Sequence, residues 1–332
     1  MTKPQVFMKF LRNLCLISFI ILPNAGNNIK KSPILKHLHM SKKHHPPEYS
    51  QIIVGTMNWG SWGAALSTKD VAHRIESAFD MGLTSFDHAD IYGDYTTEAA
   101  FGRGFKASGI SRESVQFISK CGIALANKSR GTVTNHYNYT YQYILNSVKR
   151  SLEELQTDYL DLLLLHRPSP LMDPIEIQQA VQTLLDKGYI KSFGLSNFTP
   201  SQTSIIQQKL KVSANQLEIS LKANEPFFNG DLDFCLLHQI TPMAWAPLGG
   251  ILGNQSHPLI LEKAFVKLEK KYSLSRDALL LAWLLKHPAG IHPVIGTTKV
   301  SRYENAIRAI DIDFDIEDWF YLLAAFRGHD IP

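Results

Sequence analysis

The sequence has few cysteines, few charged residues and no long apolar run, and each shortage excludes a class of protein. Its three cysteines, Cys15, Cys121 and Cys235, lie far apart and form no CxxC pair, which argues against a disulfide framework and a zinc knuckle. Charged residues make up 19% of the chain and the net charge is only +4, which does not indicate a nucleic-acid partner. The apolar stretch at residues 14–22 is too short to span a bilayer, so no stable membrane insertion is expected.

The first 47 residues differ from the remainder and are predicted to form a disordered leader, with the folded domain at residues 48–332. Lys3, Lys9 and Arg12 precede the apolar stretch as in a secretory signal, but the PNAGNN that follows is a poor cleavage site. Residues 27–47 are polar and rich in histidine and lysine. The leader is therefore interpreted either as a signal-like segment or as sequence that precedes a true start at Met40.

From residue 51 onward, short apolar runs alternate with amphipathic segments, a pattern typical of a parallel sheet covered by helices. We interpret eight runs as strands: residues 52–56, 83–87, 115–119, 159–165, 190–195, 213–217, 241–246 and 291–296. Helix starts are predicted where Ser67 precedes Asp70 by three positions, a variant of the capping box, and where Pro200 follows Thr199. A last helix is predicted at residues 315–327.

Eight strand–helix units over about 250 residues, with no break in composition, favour an α/β fold of the (β/α)8 TIM-barrel type in a single domain. An open, doubly wound sheet remains the rival architecture. GRGFKA at residues 102–107 matches a dinucleotide-binding pattern, but it follows a segment with helical rather than strand character, so we discount it. A metal cluster at His37, His39, His44 and His45 is discounted because these histidines precede every predicted strand, and no metal is predicted.

Catalytic groups of a (β/α)8 barrel lie at the carboxyl ends of different strands. The second predicted strand ends in Asp87 and leads to Tyr92, the third leads to Lys120, and the fourth leads to His166. We call these four residues the candidate tetrad. Each of them alone is better explained as a structural ion pair or a core side chain, but their occurrence at consecutive strand ends favours a catalytic role.

Seven short motifs occur in order from about residue 50 to the end of the chain: FDHADIYG, FISKCG, LLLLHRP, FGLSNF, NQLEIS, WAPLGG and VIGTTK. In these motifs the chain resembles the aldo-keto reductases, and among them most closely bacterial members of the YdhF type. The resemblance implies an NADPH-dependent oxidoreductase that transfers a hydride to an aldehyde or ketone, reversibly, on a (β/α)8 barrel.

The chemistry of carbonyl reduction suggests a role for each member of the tetrad. The alkoxide that develops after hydride transfer needs a proton, which Tyr92 can donate as a general acid. Lys120 would favour the phenolate and so lower the pKa of Tyr92, and Asp87 would pair with Lys120 and keep it charged. His166 would orient the carbonyl oxygen through a neutral ring nitrogen.

The resemblance also implies cofactor-binding residues at the later strand ends. Ser196, Asn197 and Gln216 match positions that bind the nicotinamide carboxamide, and Trp245 matches an aromatic position that stacks on the nicotinamide ring. The remaining matches are Leu248, Gly249 and Gly250 for the pyrophosphate, Thr297, Thr298, Lys299 and Arg302 for the 2′-phosphate, and Asn305 for the adenine. Hydroxyls beside two cations suit a dianionic phosphate, so NADPH is expected in preference to NADH.

Three residues after the first predicted strand, Met57, Trp59 and Trp62, could line a pocket for an apolar or aromatic carbonyl compound. A small-molecule carbonyl substrate is therefore the expected partner, and the chain is expected to be a monomer or a weak homo-oligomer. A cytoplasmic location is expected because NADPH is abundant inside cells, with export through the signal-like segment at residues 5–25 as the alternative. Two other functions stay open: an NADPH-binding sensor barrel with little turnover, and a metal-dependent barrel hydrolase.

Overall fold

Ten strands lie within the computed structural model, which describes residues 49–253 and 256–330. In chain order they are β1 (Ile53–Gly55), β2 (Ser85–Asp87), β3 (Gln116–Cys121), β4 (Ile123–Ala124), β5 (His136–Tyr137), β6 (Leu162–Leu165), β7 (Phe193–Ser196), β8 (Ala214–Glu218), β9 (Thr241–Trp245) and β10 (His292–Ile295). The hairpin β4–β5 is antiparallel, and the other eight strands are parallel and close into a barrel in the order β1, β10, β9, β8, β7, β6, β3, β2. The pairing of β1 with β10 confirms the predicted (β/α)8 barrel and excludes the open sheet.

Helices connect the barrel strands. The α-helices of the described residues are α1 (Thr68–Asp80), α2 (Tyr92–Tyr95), α3 (Thr97–Ser108), α4 (Tyr141–Leu155), α5 (Pro174–Asp186), α6 (Pro200–Gln207), α7 (Asp231–His238), α8 (Leu259–Tyr272), α9 (Arg276–Leu285), α10 (Ser301–Arg308) and α11 (Ile316–Arg327). Short 3-10 helices lie at Met57–Trp59, Arg112–Ser114, Lys128–Arg130 and Glu225–Phe227. The element α2 is a single distorted turn, because Gly93 and Asp94 inside it have left-handed backbone angles.

All eight predicted barrel strands are present, although their ends are shifted. β3 continues through Cys121, so Lys120 lies inside the strand rather than after it. The predicted fourth and fifth strands begin too early, since Leu160 and Ile190 form only an isolated bridge ahead of β6 and β7. The hairpin β4–β5 is not predicted, because strands of two residues are too short to show alternation.

The barrel strands point alternate side chains inward and toward the helices. Ile118 and Leu164 belong to the inner cluster that fills the barrel, whereas Leu163 packs in the outer layer with the helices. The same alternation, continued to the carboxyl ends of β3 and β6, turns Lys120 and His166 inward. Strand periodicity therefore directs these polar side chains to the mouth of the barrel.

The predicted helix starts are confirmed by their caps. Ser67 Oγ accepts a hydrogen bond from Asp70 N at 3.2 Å ahead of α1. Thr199 and Gln202 form a reciprocal capping box at the start of α6. The last helix begins after Asp315, whose side chain accepts from an amide in the first turn of α11.

The glycines of GRGFKA lie inside α3 rather than in a phosphate-binding loop. A Cβ at Gly102 would lie 2.3 Å from the carbonyl oxygen of Glu154 on α4, and a Cβ at Gly104 would lie 2.3 Å from Cγ1 of Val71 on α1. These glycines therefore allow α3 to pack closely against both neighbouring helices.

The predicted leader at residues 1–47, with its histidines and Cys15, is outside the described residues. Cys121 and Cys235 are both buried and free. Among the helices of the described ranges, none combines the length and the apolar character needed to cross a membrane.

Candidate active site

The candidate tetrad converges at the carboxyl-terminal mouth of the barrel. Asp87 is the last residue of β2, Lys120 lies near the end of β3, and His166 directly follows β6. Tyr92 is carried by the turn α2, where its amide donates to the Ala89 carbonyl oxygen. The side chains are deeply buried, since none of the four residues is more than 9% exposed.

Lys120 is at the centre of this cluster. Its Nζ lies 2.7 Å from Asp87 Oδ2, 2.8 Å from the His88 carbonyl oxygen and 3.1 Å from the Tyr92 hydroxyl. Burial acts to lower the pKa of Lys120, but Asp87 and Tyr92 more than offset it, and the pKa lies above its ordinary value. Lys120 is therefore a buried cation held by three acceptors.

Tyr92 keeps its proton in this environment. Burial raises the pKa of Tyr92 above its ordinary value, while Lys120 acts in the opposite direction. The lowering expected from Lys120 is thus present, but it is smaller than the effect of burial. The hydroxyl is protonated at neutral pH, and the ammonium beside it is placed to stabilise the phenolate once the proton leaves.

His166 lies edge-on to Tyr92, with the ring centroids 6.0 Å apart and the ring planes at 78°. Burial keeps the pKa of His166 well below its usual range, and the charges of Lys120 and Arg167 act in the same direction. Nδ1 of His166 has no hydrogen-bond partner within the described residues. The imidazole is therefore neutral, the form that can orient a carbonyl oxygen.

The side-chain amides of Gln216 and Asn197 link the tetrad to the residues that are expected to bind the nicotinamide. Gln216 Nε2 donates to Asp87 Oδ1 at 2.9 Å, a contact that the sequence motifs do not reveal. Asn197 Nδ2 donates to Ser196 Oγ at 2.8 Å, and Asn197 Oδ1 accepts from Trp245 Nε1 at 2.8 Å. The indole of Trp245 is thereby fixed next to the tetrad.

The tetrad opens into a first cavity of about 510 Å³, whose lining includes Met57 and Trp62. The ring of Trp62 lies over the mouth, with its centroid 6.3 Å from that of Tyr92. Trp59 does not line this cavity, because its buried ring packs on Phe101 and its Nε1 donates to the Thr297 carbonyl oxygen at 3.1 Å. Trp59 therefore connects the loops after β1 and β10, which corrects its expected place in the pocket wall.

A second cavity, of about 180 Å³, adjoins the first and shares Ala246, Pro247 and Gly296 with it. Five of the predicted cofactor residues line it: Leu248, Gly249, Gly250, Thr297 and Arg302. The glycines in this set have left-handed φ angles of 56° and 70°, which turn the chain beside the cavity, and the Gly249 amide donates to the Ala246 carbonyl oxygen within this turn. The two cavities together form an elongated groove that runs from the tetrad to the loop after β10.

Three residues predicted to bind the 2′-phosphate or the adenine, Thr298, Lys299 and Asn305, are not part of the lining of this second cavity. The Thr298 carbonyl oxygen accepts from Arg74 Nε at 2.8 Å, which anchors the loop to α1. Lys299 is exposed on the same loop. Asn305 Nδ2 donates to Asp277 Oδ2 at 3.2 Å, and Asp277, which sequence reasoning does not single out, lines the cavity.

The polar residues between Asp87 and Tyr92 turn away from the first cavity. His88 is fully buried, with Nδ1 2.9 Å from Thr56 Oγ1. Burial raises the pKa of Asp90 well above its usual range, and the nearby Glu98 acts in the same direction. No group of three or more histidine, cysteine, aspartate or glutamate residues in the described ranges is arranged to hold a metal ion.

Sequence reasoning misses one charged residue of the first cavity, Arg167. It directly follows His166 in the LLLLHRP motif, so the signal was its position next to a strand end. The apolar side chains of Ile91 and Ile123 also contribute to the lining without being predicted.

Comparisons with known proteins identify a family model and several relatives that are similar to this chain. A model of the Aldo/keto reductase family matches residues 51–325. The chain is 38% identical over 288 residues to 6-dehydroglucose reductase of Agrobacterium fabrum, a match that covers 86% of this chain and 96% of that protein. It is 36% identical over 290 residues to oxidoreductase YdhF of Escherichia coli, with 86% and 96% covered. The crystal structure of an aldo-keto reductase from Klebsiella pneumoniae in complex with NADPH has a TM-score of 0.67 at 23% identity, over 86% of this chain and 92% of that one.

Proposed function

The chain belongs to the aldo/keto reductase family, and from this premise we propose that it reduces an aldehyde or ketone to an alcohol with NADPH, reversibly. The observation that carries the proposal is the position of Lys120 Nζ, 2.7 Å from Asp87 and 3.1 Å from the Tyr92 hydroxyl. A phenol beside a fixed ammonium can give up its proton because the ammonium stabilises the phenolate that forms.

The residues along the two cavities fit a nicotinamide adenine dinucleotide phosphate. Polar side chains at the ends of β7 and β8 offer hydrogen bonds to a carboxamide, and Trp245 offers a ring face held by Asn197. Thr297 and Arg302 offer a hydroxyl and a guanidinium to a phosphate. NADPH, when bound, supplies the hydride. The aldo-keto reductase from Klebsiella pneumoniae, which shares this fold, is described in complex with NADPH.

The residues of the tetrad supply the proton and hold it until it is needed. Tyr92 gives its hydroxyl proton to the carbonyl oxygen as negative charge develops there, and solvent later returns a proton to Tyr92. Lys120 stabilises the phenolate in the interval, and Asp87 holds Lys120 in place. The neutral ring of His166 orients the carbonyl oxygen toward the Tyr92 hydroxyl.

The substrate class in this proposal is a small aldehyde or ketone. The relative from Agrobacterium fabrum is named for the reduction of 6-dehydroglucose, which supports a small carbonyl compound of this kind. We further propose that the protein acts in the cytoplasm, where NADPH is abundant, as a monomer or weak homo-oligomer and without a nucleic-acid partner.

The test is the oxidation of NADPH, followed by absorbance, with a panel of aldehydes and the variant Tyr92→Phe. The variant keeps the ring and removes the proton donor, so we expect turnover to fall by roughly 100-fold or more while NADPH binding is retained. Tyr321→Phe is the matched control, since it removes a tyrosine hydroxyl on α11, away from the cavity lining.

Two outcomes would contradict the proposal. Equal turnover by Tyr92→Phe and wild type would exclude Tyr92 as the acid. Tight NADPH binding without turnover of any aldehyde would favour a sensor barrel that binds the cofactor without using it.

A further inference from the structure

Arg167 presents a guanidinium to the first cavity that no acceptor of the described residues engages. The residue is half-buried and lines the cavity beside His166. Its side chain contacts the ring of Trp245, with Cζ 5.4 Å from the ring centroid. A guanidinium has five N–H donors in a planar fork, and an aromatic ring supplies none of the oxygen acceptors that this fork matches.

The backbone of Arg167 is held by hydrogen bonds, which fix the position of its Cα at the edge of the cavity. The Tyr139 hydroxyl accepts from the Arg167 amide at 3.1 Å and donates to the Arg167 carbonyl oxygen. The ring of Tyr139 in turn packs on Gly122, where an added Cβ would lie 1.9 Å from the ring edge. Both backbone groups are thus satisfied by one phenol, and only the guanidinium remains for a ligand.

The other ionisable groups of the cavity lining are already neutral or paired. Asp87 is held by Lys120 and Gln216. His166 is neutral because burial keeps its pKa well below the usual range. Arg167 is therefore the one charged side chain in the described lining that lacks a partner of opposite charge, and it gives this cavity a positive potential.

We propose that Arg167 binds an anionic group of the substrate, so that the preferred substrates are small aldehydes or ketones that carry a carboxylate or a phosphate. The inference rests on the proposed carbonyl reduction and narrows its substrate class. Charge-assisted hydrogen bonds from a guanidinium to a carboxylate or phosphate are strong and directional, and the bidentate form fixes orientation. Met57 and Trp62 give the remainder of such a substrate an apolar wall.

Matched pairs of substrates test the proposal. The three isomers of carboxybenzaldehyde place a carboxylate at increasing distance from the carbonyl, and their methyl esters have nearly the same shape without the charge. We expect wild type to prefer one acid over its ester, and Arg167→Gln to lower kcat/KM for that acid by about 10- to 100-fold. The effect should lie mainly in KM, and the ester should change by less than about threefold. Arg167→Lys, which keeps the charge and loses the fork, should recover part of the loss.

Two controls separate charge recognition from a general effect. Arg103→Gln makes the same change at an exposed position of α3 and should leave both substrates unchanged. D-glyceraldehyde and its 3-phosphate repeat the comparison with an aliphatic, hydroxyl-rich carbonyl compound. An equal loss for acids and esters, or an equal loss for glyceraldehyde and its phosphate, would overturn the proposal, as would a wild type without preference for the charged member of any pair.

A binding measurement distinguishes this proposal from the proposed function itself. Benzoate and the neutral benzamide are titrated into wild type and Arg167→Gln in the presence of NADP+, with the fluorescence of the cavity tryptophans as the readout. Binding of benzoate that exceeds that of benzamide and disappears in Arg167→Gln supports the anion site even in a protein that turns over no aldehyde. Turnover of neutral aldehydes with no benzoate binding in wild type would overturn the anion site and leave the reductase activity standing.

Discussion

Asp87 and Glu98 are two buried carboxyl groups on opposite faces of β3. Asp87 lies on the inner face, 2.7 Å from the ammonium of Lys120. Glu98 lies on the outer face, where its two oxygens accept hydrogen bonds from the hydroxyls of Ser119 and Ser151. Because Ser119 and Lys120 are consecutive residues of one strand, they point to opposite sides, and each carboxyl meets a different kind of partner.

The difference shows what allows a charge to persist inside this barrel. Burial raises the pKa of Glu98 to about 7, and the hydrogen bonds from Ser119 and Ser151 offset only part of that rise. Lys120 keeps its charge despite burial because Asp87 lies beside it. β3 thus faces an ion pair on the side where we propose chemistry, and on the side that packs against helices it faces a carboxyl whose pKa is about 7.

Removal of the Lys120 ammonium is expected to have the largest effect on stability and turnover. Lys120→Met leaves Asp87 buried without its partner, so we expect the free energy of unfolding to fall by about 3–5 kcal/mol. Turnover should be lost as well, because nothing then stabilises the phenolate of Tyr92. Chemical denaturation measures the first effect, and NADPH oxidation with an aldehyde measures the second.

The matched control is Lys106→Met, at an exposed position of α3, which should change neither quantity. The double variant Lys120→Met with Asp87→Leu removes both charges and should recover most of the stability but none of the turnover. A single variant Lys120→Met as stable as wild type would show that the Asp87 charge does not depend on its partner.

The ionisable residues on the inner face of the barrel could be predicted from the sequence. Asp87, Lys120 and His166 follow apolar runs that mark strands, and a barrel brings the carboxyl ends of all its strands to one mouth. The predicted end of the third strand is too early, but Lys120 keeps its inward direction because it extends the same alternation. Motif order and residue type were sufficient for these positions.

The hydrogen bonds of Glu98 on the outer face could not be predicted in this way. Glu98 lies in a segment that reads as helix, and Ser119 and Ser151 are 21 and 53 residues away from it along the chain. Their contact depends on how α3 and α4 pack on β3, which no local pattern records. The same limit explains why the sequence places Trp59 in the pocket wall and does not indicate the hydrogen bond from Gln216 to Asp87.

Replacement of Glu98 is expected to change how the stability of the protein depends on pH, which tests the contrast between Glu98 and Asp87. The pKa of Glu98 is 4.5 in its ordinary state and about 7 in the folded protein, so the unfolded chain loses this proton first as the pH rises. Wild type therefore loses stability between about pH 4.5 and pH 7, by roughly 3 kcal/mol from this group. Glu98→Gln cannot titrate, so its stability relative to wild type should rise by that amount across the same interval.

Denaturant unfolding of both proteins at pH 5 and pH 8 measures this difference. Glu153→Gln, at an exposed position of α4, is the matched control and should show no such change. If the difference between Glu98→Gln and wild type were the same at both pH values, Glu98 would be ionised in the folded state throughout, and the contrast with Asp87 would disappear.

A smaller effect is expected when the inner carboxyl loses its charge and keeps its shape. Asp87→Asn keeps one oxygen that can accept from Lys120, but an amide nitrogen replaces the oxygen that accepts from Gln216. We expect kcat/KM to fall by about 10- to 100-fold, or about 2 kcal/mol in the transition state. Asp87 raises the pKa of Lys120, so in the variant the ammonium should lose its proton at lower pH. The basic limb of the pH–rate profile should therefore move to lower pH. An unmoved limb would contradict this, and Asp80→Asn, at an exposed position of α1, serves as the control.

The smallest effect concerns one hydroxyl on the outer face. Ser151→Ala removes a donor to Glu98 Oε2 at 2.8 Å, and we expect a loss of about 1 kcal/mol in the free energy of unfolding. The hydrogen bond from Ser151 favours the ionised carboxyl, so its removal raises the folded-state pKa of Glu98 further, and the loss should be larger at pH 8 than at pH 5. Thr203→Val is the control, because it removes a buried hydroxyl that has no partner within the described residues and should cost little. An equal loss at both pH values would mean that Ser151 bonds a carboxyl whose protonation does not change between pH 5 and pH 8, which would contradict a Glu98 pKa of about 7.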